Sequence, residues 1–156
     1  MPAPAYTQSL LLFAYQRSAR ELAAALQASG HPAIRPKHGA VFANLALAGS
    51  RSTDLAERAG IGKAAMGELV DELEQLGYIE RRPDPQDRRA KLVVPTAAAL
   101  EVTRLVHEFN RRLEARYRRR LGARAYESLR ASLLELAERS ERQPRIPPGA
   151  KQPPGG

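Results

Sequence analysis

The chain has 156 residues, with 25 Lys and Arg against 17 Asp and Glu for a formal net charge of +8, and it contains no cysteine. That length fits one domain, or a compact reading module joined to an oligomerisation element, and 43% hydrophobic residues suffice for a core. Disulfides and thiol-based redox sensing by this chain are excluded, no apolar run approaches the roughly 20 residues of a membrane span, and the start Met1-Pro2-Ala3-Pro4 lacks a signal-peptide pattern, so a cytoplasmic protein without membrane contact is expected.

Residues 7–29 read as a long helix on the apolar stripe Leu11, Tyr15, Ala19, Leu22 and Leu26, closed by Gly30 and Pro32. A second helix is predicted over 36–48, opened by Pro36 and turning Val41, Phe42 and Leu45 inward. A short third helix follows, capped by Ser52 or Thr53, with Leu55, Ala56 and Ala59 inward and Gly60 breaking it. The fourth helix spans roughly 63–76 on Met66, Leu69, Val70, Leu73 and Leu76, and Gly77 ends it. Residues 78–82 and 91–94 read as the two strands of a hairpin around a turn-rich tip, 83–90, that holds two prolines and two aspartates. Thr96 can cap a fifth helix reaching about residue 120, where Leu105, Phe109, Leu113 and Tyr117 recur every four residues. After Gly122, a sixth helix over about 124–139 carries Leu129, Leu133 and Leu136. Residues 143–156 hold five Pro and three Gly and are expected to form a disordered tail. The fold class expected is mostly α with a small β-hairpin wing.

The order of these elements has a meaning. Arg58-Ala59-Gly60-Ile61-Gly62 is a short Gly-bearing turn between two short amphipathic helices, the signature of a helix-turn-helix. The second of these helices would lie in a major groove with its N-terminal residues at base edges and phosphates. The hairpin then becomes a wing. From Arg81 to Lys91 it carries five basic and two acidic side chains, net +3, which suits a narrow minor groove and cannot enter a core.

Three segments resemble the MarR family of transcriptional regulators. Ser52-Thr53-Asp54-Leu55-Ala56-Glu57-Arg58-Ala59-Gly60-Ile61 looks like its third helix and turn. Leu69-Val70-Asp71-Glu72-Leu73-Glu74-Gln75-Leu76-Gly77-Tyr78-Ile79 looks like the end of its recognition helix and the first wing strand. The stretch from Asp84 to Val93, above all Asp84-Pro85-Gln86-Asp87-Arg88-Arg89, looks like its wing, and Thr96 fits the opening of its fifth helix. The resemblance covers about residues 7–140. It implies a winged helix-turn-helix DNA-binding domain over 34–96, flanked by dimerisation helices over 7–32 and 97–140. It further implies a homodimer on a palindromic operator in double-stranded DNA, repression as the commoner mode, and often a small aromatic or anionic effector. The two-fold symmetry agrees with half-sites one helical turn apart.

The DNA-contacting set expected on this basis is Ser52, Thr53, Lys63, Ala64, Ala65, Gly67, Glu68, Arg82, Arg88, Arg89 and Lys91. Relatives commonly place Arg, Ser and Thr near the start of the recognition helix. Here Lys63 keeps a positive group, Ala64 and Ala65 can touch only thymine methyls, Gly67 offers no side chain, and Glu68 can accept from cytosine N4 or pair with a neighbouring Arg. Direct readout is therefore sparse, which shifts specificity towards the wing arginines and DNA shape. Tyr15, His38, Phe42, His107 and Arg111 are the effector-pocket candidates, and a dense Arg run from Arg111 to Arg124 is a solvated face or an anion-binding surface.

No Gly-rich phosphate loop, no motif context for Ser, His and Asp, and no Cys nucleophile are present, so no enzyme and no cofactor are expected. A metal sensor through His38, His107 and Glu108 is a minor alternative, since three histidines without cysteine or a His-x3-His spacing are a weak metal-site pattern, and no metal is expected. The alternatives to a specific regulator are a winged helix with weak or non-specific DNA binding, or a protein-interaction module.

Overall fold

The computed structural model describes residues 6–141. The expected tail, 143–156, lies outside the described residues. The described residues form two compact units, one extending to Leu113 and one beginning at Glu114.

The first unit opens with α1 (Thr7–Ala28). The predicted second helix over 36–48 is much shorter than expected. It reduces to a 3-10 turn, Pro36–His38, followed directly by α2 (Gly39–Phe42). The helix stops because Asn44 turns its amide back to the Ala40 carbonyl at 2.8 Å, and the Ala46 N–H is drawn to the Ser50 hydroxyl at 3.2 Å. α3 (Ser52–Ala59) is preceded by an extended Arg51 at the cap position, and no side-chain cap bond is made there. Ser52 and Thr53 are thus inside the first turn and do not cap it. Gly60 adopts a left-handed φ of 67°, and the Ile61 N–H returns to Ala56 O at 3.1 Å, closing the helix-turn-helix corner. α4 (Lys63–Gln75) follows.

The hairpin is longer than expected. β1 (Ile79–Asp84) pairs antiparallel with β2 (Asp87–Pro95), so most of the anticipated tip is strand and only Pro85 and Gln86 lie between. An isolated bridge to the hairpin was not foreseen: Ser50 pairs with Val93 through N–H to O contacts of 3.0 and 2.8 Å. Gly49 makes this approach feasible. Its φ is 99°, and a Cβ there would stand 3.2 Å from the side chains of Leu92 and Val94.

Thr96 behaves as expected. The Ala99 N–H points to its hydroxyl at 3.4 Å at the start of α5 (Ala97–Leu121), and that hydroxyl lies 2.8 Å from the Gly77 carbonyl. The core of the first unit draws on α1 to α5 and both strands: Val41, Leu55, Met66, Val70, Leu73, Ile79, Val93 and Val102 are fully buried, joined by Leu26 and Ile34. The end of α1 and the start of α5 therefore complete the winged-helix core. The N-terminal half of α1 is left uncovered, with Leu10, Leu11, Leu12, Phe13 and Tyr15 all exposed.

The second unit contains the end of α5 and α6 (Ala123–Glu141), separated by Gly122 at φ 83°. Tyr126 is its buried anchor, with the guanidinium groups of Arg118 and Arg130 at 5.4 and 6.0 Å from the ring centroid. Arg118 pairs with Glu127, and Arg130 with Glu114 at 2.6 Å. Leu129, Leu133, Leu134 and Leu136 remain exposed.

Candidate nucleic-acid interface

The apolar face of α4 holds the helix down through Met66, Val70 and Leu73. This leaves Lys63, Ala64, Ala65 and Glu68 exposed at and after its N-terminus. Gly67 is half-buried, and a Cβ there would meet nothing within 4 Å, so its lack of a side chain is not demanded by packing. Thr53 is exposed and Ser52 half-buried in the first turn of α3. The opening turn of a helix presents unpaired N–H groups and positive dipole, a natural seat for phosphate.

The wing is pinned by a group whose role was not apparent in the sequence. The carboxylate of Asp84 is buried, 6% exposed, at the end of β1. Its Oδ1 accepts the Gln86 N–H at 2.8 Å, and its Oδ2 accepts from Nε and Nη2 of Arg51 at 2.9 and 2.6 Å. Those bonds hold the carboxyl below its ordinary range, the Gln86 N–H first and Arg51 second. Arg51 also reaches Asp87 at 3.7 Å, so the loop before α3 and the tip of the wing are tied together. Asp-Pro at a turn is a readable Asx-turn signal, but nothing local marks Arg51, 33 residues away, as its partner.

The wing cations divide into two groups. Arg81 pairs with Asp71 and Glu74 of α4 and fastens the root of the hairpin to that helix. Arg82 pairs with Glu80. Arg88, Arg89 and Lys91 are exposed, and among the described residues none of them has a carboxylate partner. The positive charge offered to a ligand is thus concentrated at the outer half of β2.

A cavity of about 550 Å³ lies in the first unit between α1, the segment 34–43 and α5. Tyr15, Phe42 and His107 of the expected pocket set line it, whereas His38 and Arg111 do not. The cation at its wall is Arg35, which sequence reasoning missed because one Arg before a Pro carries no spacing signal. His38 is instead fully buried beneath the 3-10 turn. Its Nδ1 accepts the Arg35 N–H at 3.0 Å, so the ring proton sits on Nε2, which faces Glu72 Oε1 at 3.4 Å.

Burial pushes the pKa of His38 down, against the raising effect of Glu72. The unfolded chain therefore binds more protons than the folded one below the ordinary value of 6.5, and stability falls as the pH drops through that value. Substituting His38→Asn keeps an acceptor near Nδ1 but removes the titration. Chemical denaturation at fixed protein concentration should show a shallower acid-side loss of stability in the variant than in the parent.

An exposed helix N-terminus behind a glycine corner, followed by a pinned basic hairpin, defines a winged helix-turn-helix protein. Residues 34–90 match the model of the MarR family. A Bacillus subtilis (strain 168) protein described as an uncharacterized HTH-type transcriptional regulator, YcgE, is 39% identical over 46 residues; the match spans 30% of this chain and 30% of that protein's length. Among solved structures, transcriptional regulator Tm0710 from Thermotoga maritima is 27% identical with a TM-score of 0.55, covering 86% of this chain and 94% of that one. FabT from Streptococcus pneumoniae, solved in complex with DNA, has a TM-score of 0.75 at 16% identity over 86% of this chain and 94% of its own. Among the described residues, no helix is long and apolar enough to cross a membrane.

Proposed function

We propose that this protein is a sequence-specific DNA-binding transcriptional regulator, a repressor acting as a homodimer on a palindromic operator. The observation that carries the reading is the pairing of an open α4 N-terminus with a wing whose Arg88, Arg89 and Lys91 lack acidic partners among the described residues. Lys63 and the wing cations supply phosphate affinity, and Ser52 and Thr53 add backbone contacts from α3. Ala64, Ala65 and Gly67 give little to hydrogen-bond a base, so Glu68, Arg88, Arg89 and the shape of the minor groove carry the discrimination. The uncovered apolar faces of α1 and α6 support dimerisation, since exposed leucines and aromatics at this density favour a partner surface. A second copy also doubles the number of reading helices and wings.

The cavity supports a second element of this reading, release by a small effector. Apolar walls with Arg35 suit an aromatic or lipophilic anion, and Tyr15, Phe42 and His107 would contact it. A ligand that prefers one placement of the α4 helices would shift the population away from the DNA-competent form. The first test is titration against short genomic duplexes from around the protein's own gene at two salt concentrations. Tight binding to one palindromic duplex, well above its scrambled version, is expected. Equal and strongly salt-dependent binding to all duplexes would reduce the protein to a basic winged helix without sequence specificity.

A further inference from the structure

α4 is seated on the core by apolar packing, which is strong but non-directional. Its angular placement therefore depends on its polar ties, which are directional. Among the described residues there are two. On one side Asp71 and Glu74 hold Arg81 at the root of the wing. On the other side a single carboxylate, Glu72, faces two groups of the 3-10 turn: Lys37 Nζ pairs with Oε2, and the Nε2 of buried His38, otherwise without a hydrogen-bond partner, stands 3.4 Å from Oε1. The same stretch of chain, through Arg35, Pro36, Gly39 and Phe42, forms one wall of the cavity.

We propose that Glu72 is a positioning residue for DNA recognition, its carboxylate clamping α4 to the cavity-wall segment through Lys37 and His38. The clamp fixes the roll of α4 about its axis, and with it the height at which Lys63 to Glu68 meet a groove. It also makes the cavity wall and the reading helix one mechanical piece, so a displacement of residues 35–39 is transmitted to α4. The proposal rests on the reading of α4 as the DNA-reading helix. Glu72 is itself an acid, so its removal by simple electrostatics should tighten binding to every duplex. A positioning role predicts the opposite for the preferred sequence alone.

The test uses the full chain and two duplexes, one selected by the parent protein from a random-sequence pool and a scrambled version of it. Affinity for each is measured at several salt concentrations for the parent, Glu72→Ala and Glu72→Gln, with thermal melting alongside. In Glu72→Ala the ratio of the two affinities is expected to fall about tenfold, the size of one misplaced base contact, with the salt slope on the selected duplex unchanged. Glu72→Gln retains an oxygen for the His38 N–H and should lose less. An unchanged ratio, equal tightening on both duplexes, or equal weakening on both in step with a lower melting temperature would each overturn the proposal. If the parent itself binds both duplexes equally, the reading of α4 fails and the proposal fails with it; if the parent discriminates and the variants discriminate as well, the positioning role alone is refuted.

Discussion

Replacing Arg88 and Arg89 together by alanine is expected to weaken operator binding on the order of a hundredfold at physiological salt. Both side chains are exposed and, among the described residues, free of acidic partners, and the bond from the Arg89 N–H to Asp87 Oδ1 at 3.0 Å belongs to the backbone and survives truncation. The fold should therefore be unaffected, as for most surface changes. In a homodimer the double change removes four cations. If all four sit at phosphates, the slope of log K against log salt falls by about 3.6, at about 0.9 per contact. Fluorescence anisotropy over a salt series measures both quantities. The paired substitution by lysine sharpens the result, because it keeps the charge but loses the planar fork that enters a minor groove. Retained salt slope with reduced discrimination among sequences is expected for it. Unchanged affinity in the alanine variant would remove the wing from the interface.

The second large effect is expected from Asp84→Ala. Deleting an acid beside a DNA-facing surface should, on charge alone, strengthen binding. The buried carboxylate is instead the knot between the Gln86 N–H and the Arg51 guanidinium, and its loss frees the turn that presents Arg88 and Arg89. Affinity is expected to fall roughly tenfold, because a reading surface left loose by about an ångström loses its preorganised contacts. Proteolysis at the wing should accelerate in parallel. The carboxyl is held below its ordinary value of 3.8, so the stability it contributes is fully present above that value and is lost only as the pH falls through and below it. DNA titrations near neutral pH thus see the anchor intact, and any pH dependence found there belongs to other groups. Tighter binding by Asp84→Ala would mean that the wing needs no anchor.

Much of the architecture was legible in the chain because it is written in short-range patterns. Leucines at three- and four-residue spacing marked α1, α4, α5 and α6, glycines marked the corners at 60, 77 and 122, and Thr96 marked the start of α5. The second helix was misjudged for a local reason as well: Val41, Phe42 and Leu45 have helical spacing, but the Asn44 side chain competes for the backbone and the chain leaves the helix to bridge β2. Ser50, with no apolar neighbour of its own to declare an extended segment, bridges β2 because Gly49 lets it lie against Val93.

The candidate site divides along the same line. Its charge, the glycine corner and the wing arginines follow from composition and spacing, since exposed cations need no partner to be recognised as exposed. Which arginines remain available does not follow, because Arg51 and Arg81 find their carboxylates through the tertiary fold at separations of 33 and 10 residues, while Arg82 takes Glu80 along its own strand. His38 shows the same limit: it looked like a pocket residue, yet the fold buries it against Glu72 and gives the cavity wall to Arg35 instead. The sequence by itself determined the order of helices, the hairpin and the basic surface, because these depend on periodicity and turn chemistry within a few residues. Only the tertiary structure decided which charges are neutralised and which are presented, because an ion pair is set by distance in space, and the chain brings distant positions together only when its core closes.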